Sequence, residues 1–182
     1  MIQGRIMHGV HLHYFLRPDH WDVADLWAPH WGPHLPSLAF HDRHDWLFEH
    51  IENLHDAGSN TVCAVNARTG GVAGFVTFEP AAQRLHQIVV ASSARGSGAA
   101  KMLLDEAKRL SGGGLVVEIE TSNTRGLRFF EREGFVLAPQ DGAAIRMSWR
   151  ANGLMAKSGR QFVRSHPATG VGGSLCRWRA PA

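Results

Sequence analysis

Residues 88–104 (IVVASSARGSGAAKMLL) constrain this chain more than any other segment. A β-branched run enters a short Gly/Ser/Arg turn, and that turn opens directly into a helical pattern. Such a turn aims several backbone N–H groups at one point, where the positive end of the helix dipole adds to them. Gly96, Gly98, Ala99 and Ala100 are small enough to let a diphosphate approach the main chain closely. The segment predicts a pyrophosphate site built from backbone.

Two familiar phosphate loops do not fit. A Walker loop needs Gly, four residues and then Gly-Lys-Ser/Thr, a spacing this chain lacks. A dinucleotide fingerprint needs a third small residue in register and an acid about twenty residues on, and Gly96-x-Gly98 alone does not meet it. The pattern Arg95-x-x-Gly98-x-Ala100 instead resembles the coenzyme A loop of the GNAT superfamily of N-acetyltransferases, Gln/Arg-x-x-Gly-x-Gly/Ala. Downstream, residues 123–135 (NTRGLRFFEREGF) resemble that family's second signature, Asn-x-x-Ala-x-x-Phe-Tyr-Glu-x-x-Gly-Phe. Two motifs in the right order are far more specific than either alone.

The order of elements follows from periodicity and punctuation. Residues 11–16 read as a strand, Pro18 and Asp19 stop it, and a helix follows through 21–27. Pro29, Pro33 and Pro36 predict an irregular stretch before a second helix at about 43–56. Residues 61–65 and 72–78 read as a hairpin around the Gly-ended connection 66–71. Then come a strand at 84–90, the loop, a helix from Ala99 to about Leu110 and a strand at 115–121. Asn123 caps a helix that stops at Gly134, and strands at 135–137 and 144–149 close the pattern around an Asp141-Gly142 turn. This β-α-α-β-β-β-α-β-α-β-β order is that of the GNAT family. The resemblance covers about residues 10–150, with its specific part in 84–137. It implies an α/β fold, the GNAT fold: a central mixed, mostly antiparallel sheet of about seven strands flanked by four helices.

The same resemblance implies an N-acyltransferase that moves acetyl from acetyl-CoA, its co-substrate, to the amine of a small molecule or peptide. Backbone groups of Ile88, Val89 and Val90 would hold the pantetheine by extending the strand. Arg95, Gly96, Ser97, Gly98, Ala99, Ala100 and Lys101 would hold the pyrophosphate, and Asn123 and Phe130 would contact the cofactor arm. A lysine-like amine has a pKa near about 10.4, so presenting it neutral at pH 7 costs about 4–5 kcal/mol unless a base or a desolvating pocket helps.

Glu118 is one candidate base. In Val117-Glu118-Ile119 it stands twelve residues before Phe130, as a strand Glu stands before the motif Tyr in the similar ribosomal-protein alanine acetyltransferases. Apolar neighbours could raise its pKa, and a solvated strand glutamate is the bland alternative. His86 is the rival, on the strand where arylalkylamine acetyltransferases similarly carry a histidine. Phe130 departs from the family, which often has Tyr there to protonate the leaving thiolate; Phe keeps the ring and removes the donor. That departure favours a second class of function, a non-catalytic acyl-CoA-binding or regulatory module.

Four tryptophans (21, 27, 31 and 46) and nine of the twelve histidines lie before residue 51. Core packing by helix-face tryptophans is favoured over an aromatic acceptor site. His11-x-His13 and His41-x-x-His44 have chelating spacing, but no Cys or carboxylate pattern supports them, and no metal is expected. Cys63 and Cys176 stand far apart in no redox spacing and suit a reducing cytoplasm.

Net charge is +3, yet residues 151–182 hold five basic residues and no acid, so residues 1–150 are net −2. The high pI reports a basic, Gly/Ser/Arg-rich extension, read as an appendage or disordered end beyond a single 1–150 domain. Five charges and one Trp178 are too sparse a footprint for nucleic acid. No apolar run approaches eighteen residues and no signal-peptide h-region is present, so membrane insertion is not expected. A homodimer stays open.

Overall fold

The apolar runs at 61–65 and 73–78 are too continuous for strands with one wet face, and every residue in them is buried. They form the centre of the sheet. The computed structural model describes residues 9–31, 40–139, 142 and 144–151. In chain order the elements are β1 (Val10–Tyr14), α1 (His20–Trp31), α2 (Phe40–Asp56), β2 (Asn60–Asn66), β3 (Val72–Glu79), β4 (Arg84–Val90), α3 (Ala99–Leu110), β5 (Gly114–Ile119), α4 (Thr124–Arg132), β6 (Val136–Leu137) and β7 (Ile145–Arg150). The seven strands pair in the order β1-β2-β3-β4-β5-β7-β6. Every pairing is antiparallel except β4 with β5. The mixed, mostly antiparallel sheet and four helices match the expected architecture.

Two cores sit on opposite faces of that sheet. Under α3 and α4, Val62, Ala64, Val76, Phe78, Leu115, Val117 and Ile119 pack against Leu103, Leu104, Ala107 and Phe130. Under α1 and α2, Cys63, Val65, Phe75 and Val89 pack against Val23, Ala24, Trp27, Leu47 and Ile51. Trp27 is buried and stacks on Trp46 at 5.4 Å, as core packing predicts, whereas Trp21 is 58% exposed.

One expected boundary is corrected. Pro29 does not begin an irregular stretch; α1 runs through it to Trp31. The ring removes one i→i−4 bond in the last turn, and burial of Trp27 and Ala28 just before it holds the helix together. The second helix accordingly starts at Phe40, earlier than its periodicity suggests. Pro33, Pro36, Asp141 and, apart from Ala151, the basic extension 151–182 lie outside the described residues. Among those described, no helix is long and apolar enough to cross a membrane.

Candidate active site

A skipped residue in β4 opens the site. Gln87 pairs with Thr77 and Leu85 with Phe78, so His86 is the extra residue of a β-bulge. Before the bulge β4 pairs with β5 through Arg84 and Leu85 alone; beyond it the two strands diverge. Ala91 donates its N–H to the Ala73 carbonyl, so the two-residue alternation of the ladder gives Val89 to β3. The N–H and C=O groups of Ile88 and Val90 therefore turn into the gap. An extended, amide-bearing ligand can pair there as an added strand.

The gap continues into a cleft of about 540 Å³. Ile88, Val89, Val90, Arg95, Gly96, Gly98, Ala99, Ala100, Lys101, Asn123 and Phe130 all line it, eleven of the twelve residues expected to hold a cofactor. Ser97 does not. Its hydroxyl donates to the Ala94 carbonyl at 2.6 Å and accepts the Ala99 N–H at 3.3 Å, which fixes the turn from inside. Gly96 and Gly98 take φ of +80° and +83°, a left-handed conformation that side chains disfavour. The Arg95 and Ser97 amides bond within the turn, and Met102 opens the helical ladder on Gly98. Among the described residues, the N–H groups of Gly96, Gly98, Ala100 and Lys101 have no protein acceptor. They converge at the start of α3, a donor set suited to a diphosphate.

Across the gap, Asn123 caps α4 by accepting the Gly126 N–H at 2.8 Å. Phe130 is buried at 4% exposure, edge-on to Phe129 and Phe135 at 5.2 and 5.0 Å, and still reaches the cleft wall. The Lys101 ammonium lies along α3, donating to Asp105 at 2.9 and 3.0 Å and standing 3.5 Å from Glu133. What Lys101 offers the cleft is its backbone N–H.

The two candidate bases lie on the other face. Leu115, Val117 and Ile119 face α3 and α4, so alternation turns Glu118 toward the α1–α2 side. There it accepts from Arg146 at 2.8 Å and Arg84 at 3.3 Å. Two guanidinium groups already neutralise this carboxylate, in place of the apolar neighbours expected. The bulge sends His86 to the same face, where its side chain is 7% exposed and its Nε2 lies 3.8 Å from Glu79 Oε2. Neither ring nitrogen of His86 has a hydrogen-bond partner among the described residues. Burial, with Arg84 and His50 adding, lowers its pKa to about 4, so the imidazole is neutral at pH 7. Glu118 and His86 do not line the cleft itself; they stand beyond the opening.

Comparison with known proteins agrees with this geometry. Residues 58–137 match the family model described as Acetyltransferase (GNAT) domain. The chain carries a GNAT acetyltransferase domain. A PaiA N-acetyltransferase from Thermoplasma acidophilum, solved in complex with coenzyme A, is 14% identical, with a TM-score of 0.61 over 78% of this chain and 99% of that one. A GNAT-family acetyltransferase from Staphylococcus aureus MU50 is 14% identical, with a TM-score of 0.59 over 78% and 98%. At these identities the likeness is one of fold. Nourseothricin acetyltransferase is 28% identical over 52% of this chain and 66% of its own length, with a TM-score of 0.47. That overlap is too slight to carry an acceptor across. No curated protein sequence matches this one.

The GNAT domain also places residues that motif reading missed. Arg125, Phe129, Arg132 and Glu133 line the cleft on and just after α4. Helical spacing was the available signal, since positions 125, 129, 132 and 133 share a face with one another. Glu79, Arg84 and Arg146, which surround the candidate bases, come from three different strands and have no motif to announce them.

Proposed function

We propose that this GNAT domain is an N-acyltransferase that moves acetyl from acetyl-CoA to an amine. The observation that supports it best is the divergence of β4 from β5. It brings unsatisfied backbone donors and a small-residue turn to one opening, and a buried neutral imidazole to the strand edge beside it. When bound, acetyl-CoA supplies an activated thioester carbonyl. Ile88 and Val90 orient its amide-bearing arm, and the N–H groups of Gly96, Gly98, Ala100 and Lys101 bind its diphosphate with the Arg95 and Arg125 side chains nearby. Acyl transfer forms a C–N bond, breaks the C–S bond and releases a proton from the amine. His86 is the better-placed acceptor for that proton, because no described residue hydrogen-bonds its ring nitrogens. Glu118 is the alternative base, and in that role it must compete with Arg84 and Arg146.

Free-thiol release from acetyl-CoA, measured over a panel of amines with the full chain, tests this reading. Turnover with at least one amine is the expected result. One observation favours a second reading: the ring at position 130 lacks the hydroxyl that would protonate a departing thiolate. A non-catalytic acyl-CoA-binding module would bind the cofactor by calorimetry and release no thiol with any amine.

A further inference from the structure

The spacing His11-x-His13 lacks the Cys or carboxylate that would make it a metal site, and the fold supplies both. His13 on β1 pairs in register with Cys63 on β2, so both side chains project from one face of the sheet. A single turn of 3-10 helix at Arg17–Asp19 folds back over that face and brings Asp19 to 3.0 Å from His13 Nε2. The imidazole nitrogen, the carboxylate oxygen and the thiol sulfur all lie within 4.8 Å of one another. We propose that His13, Asp19 and Cys63 form a site for a borderline-soft divalent cation, Zn²⁺ before others.

Three observations support it. Although His13 Nε2 and the Asp19 carboxylate are close, their geometry does not make a hydrogen bond, and Nε2 has no other partner among the described residues. Asp19 Oδ2, the oxygen nearest His13, also accepts the Leu16 N–H at 2.7 Å, which holds the carboxylate in place and leaves Oδ1 for an ion.

Charge and softness agree as well. One thiolate and one carboxylate neutralise a divalent ion, so burying it here leaves no net charge. Sulfur, imidazole and a single carboxylate suit Zn²⁺, whereas Mg²⁺ and Ca²⁺ require oxygen. On binding, a metal–sulfur bond forms and the Cys63 proton leaves to solvent. The His13 side chain is one-third exposed (33%), whereas its Nε2, the Asp19 carboxylate and Cys63 are buried, so a bound ion would sit beneath the imidazole. Such an ion would clip β1, β2 and the turn leading into α1. This inference is independent of the acyl-transfer reading.

Cobalt(II) titration of metal-free full-length protein tests it, because a thiolate-to-cobalt charge-transfer band reports sulfur ligation directly. The Cys176→Ser chain is the background, so that any band arises from Cys63. Saturation at one equivalent is expected, with displacement by Zn²⁺. His13→Gln, at a part-exposed strand position, should keep the fold by circular dichroism and weaken cobalt binding on the order of 100-fold. No charge-transfer band in the Cys176→Ser protein overturns the site. So does a band that His13→Gln leaves at full affinity.

Discussion

Under α3 and α4 the sheet presents Val62, Val76, Phe78, Leu115 and Val117, and the donors offered to a ligand there are backbone amides from one contiguous turn. Under α1 and α2 it presents Thr61, Thr77, Glu79, His86 and Glu118 among its apolar residues, and the groups able to move protons or ligate ions come from five strands and a turn. Recognition of a diphosphate needs a chain conformation, which small residues in one segment can encode. Proton transfer needs particular side chains at particular distances, which only a sheet can assemble.

The largest expected effect separates the two candidate bases on the second face. His86→Gln should lower turnover of a high-pKa amine roughly 10²–10⁴-fold with little change in acetyl-CoA affinity. Glu118→Gln should cost much less, because its role is to hold Arg84 and Arg146. Steady-state kinetics on both variants, with melting curves to confirm folding, decides it. The reverse order would return the base to Glu118.

On the first face, Gly98→Glu places a negative charge and a side chain where donors converge, at a position with φ of +83°. Acetyl-CoA affinity should fall by roughly 100-fold or more, since like charges in contact cost several kcal/mol. The protein should remain folded, with a strain penalty of about 1 kcal/mol. Calorimetric titration checks this, and unchanged affinity would move the cofactor away from the turn.

A smaller effect concerns pH. Burial lowers the pKa of both His50 and His86 to about 4, below the ordinary value of 6.5. Between those values the unfolded chain binds protons that the fold excludes, so stability is full above about pH 6.5 and is lost as pH falls toward about 4. For His86 the slope is at most about 1.4 kcal/mol per pH unit. Melting temperatures between about pH 7 and pH 5 should fall, and His86→Gln should flatten the curve. A wild-type curve that rises toward acid would contradict the buried-neutral assignment.

The smallest effect is expected from Phe130→Tyr. The ring reaches the cleft wall, so an added hydroxyl should find the opening and leave acetyl-CoA binding unchanged. Turnover rises if thiolate protonation limits the rate and stays level otherwise. A loss of about 1–3 kcal/mol in stability would instead put the hydroxyl in the closed core between Phe129 and Phe135.

Local patterns were enough for the elements that form the cleft. The strand 84–90 and the helix 99–110 are visible because β-branched runs, left-handed glycines and a helical stripe each act within a few residues. Asn123 declares itself as a cap for the same reason. Pro29 misled, because the burial of Trp27 and Ala28 that carries α1 past it is a tertiary contact.

What the sequence determined by itself was the order of elements and a turn whose backbone donors are neighbours in the chain. The tertiary structure alone decided that Glu118 meets Arg84 and Arg146, that a bulge turns His86 into the interior, and that His13 finds Cys63 and Asp19. Each of those pairings depends on strand register, and register is set by how whole strands bury their faces, not by any residue's neighbours in sequence.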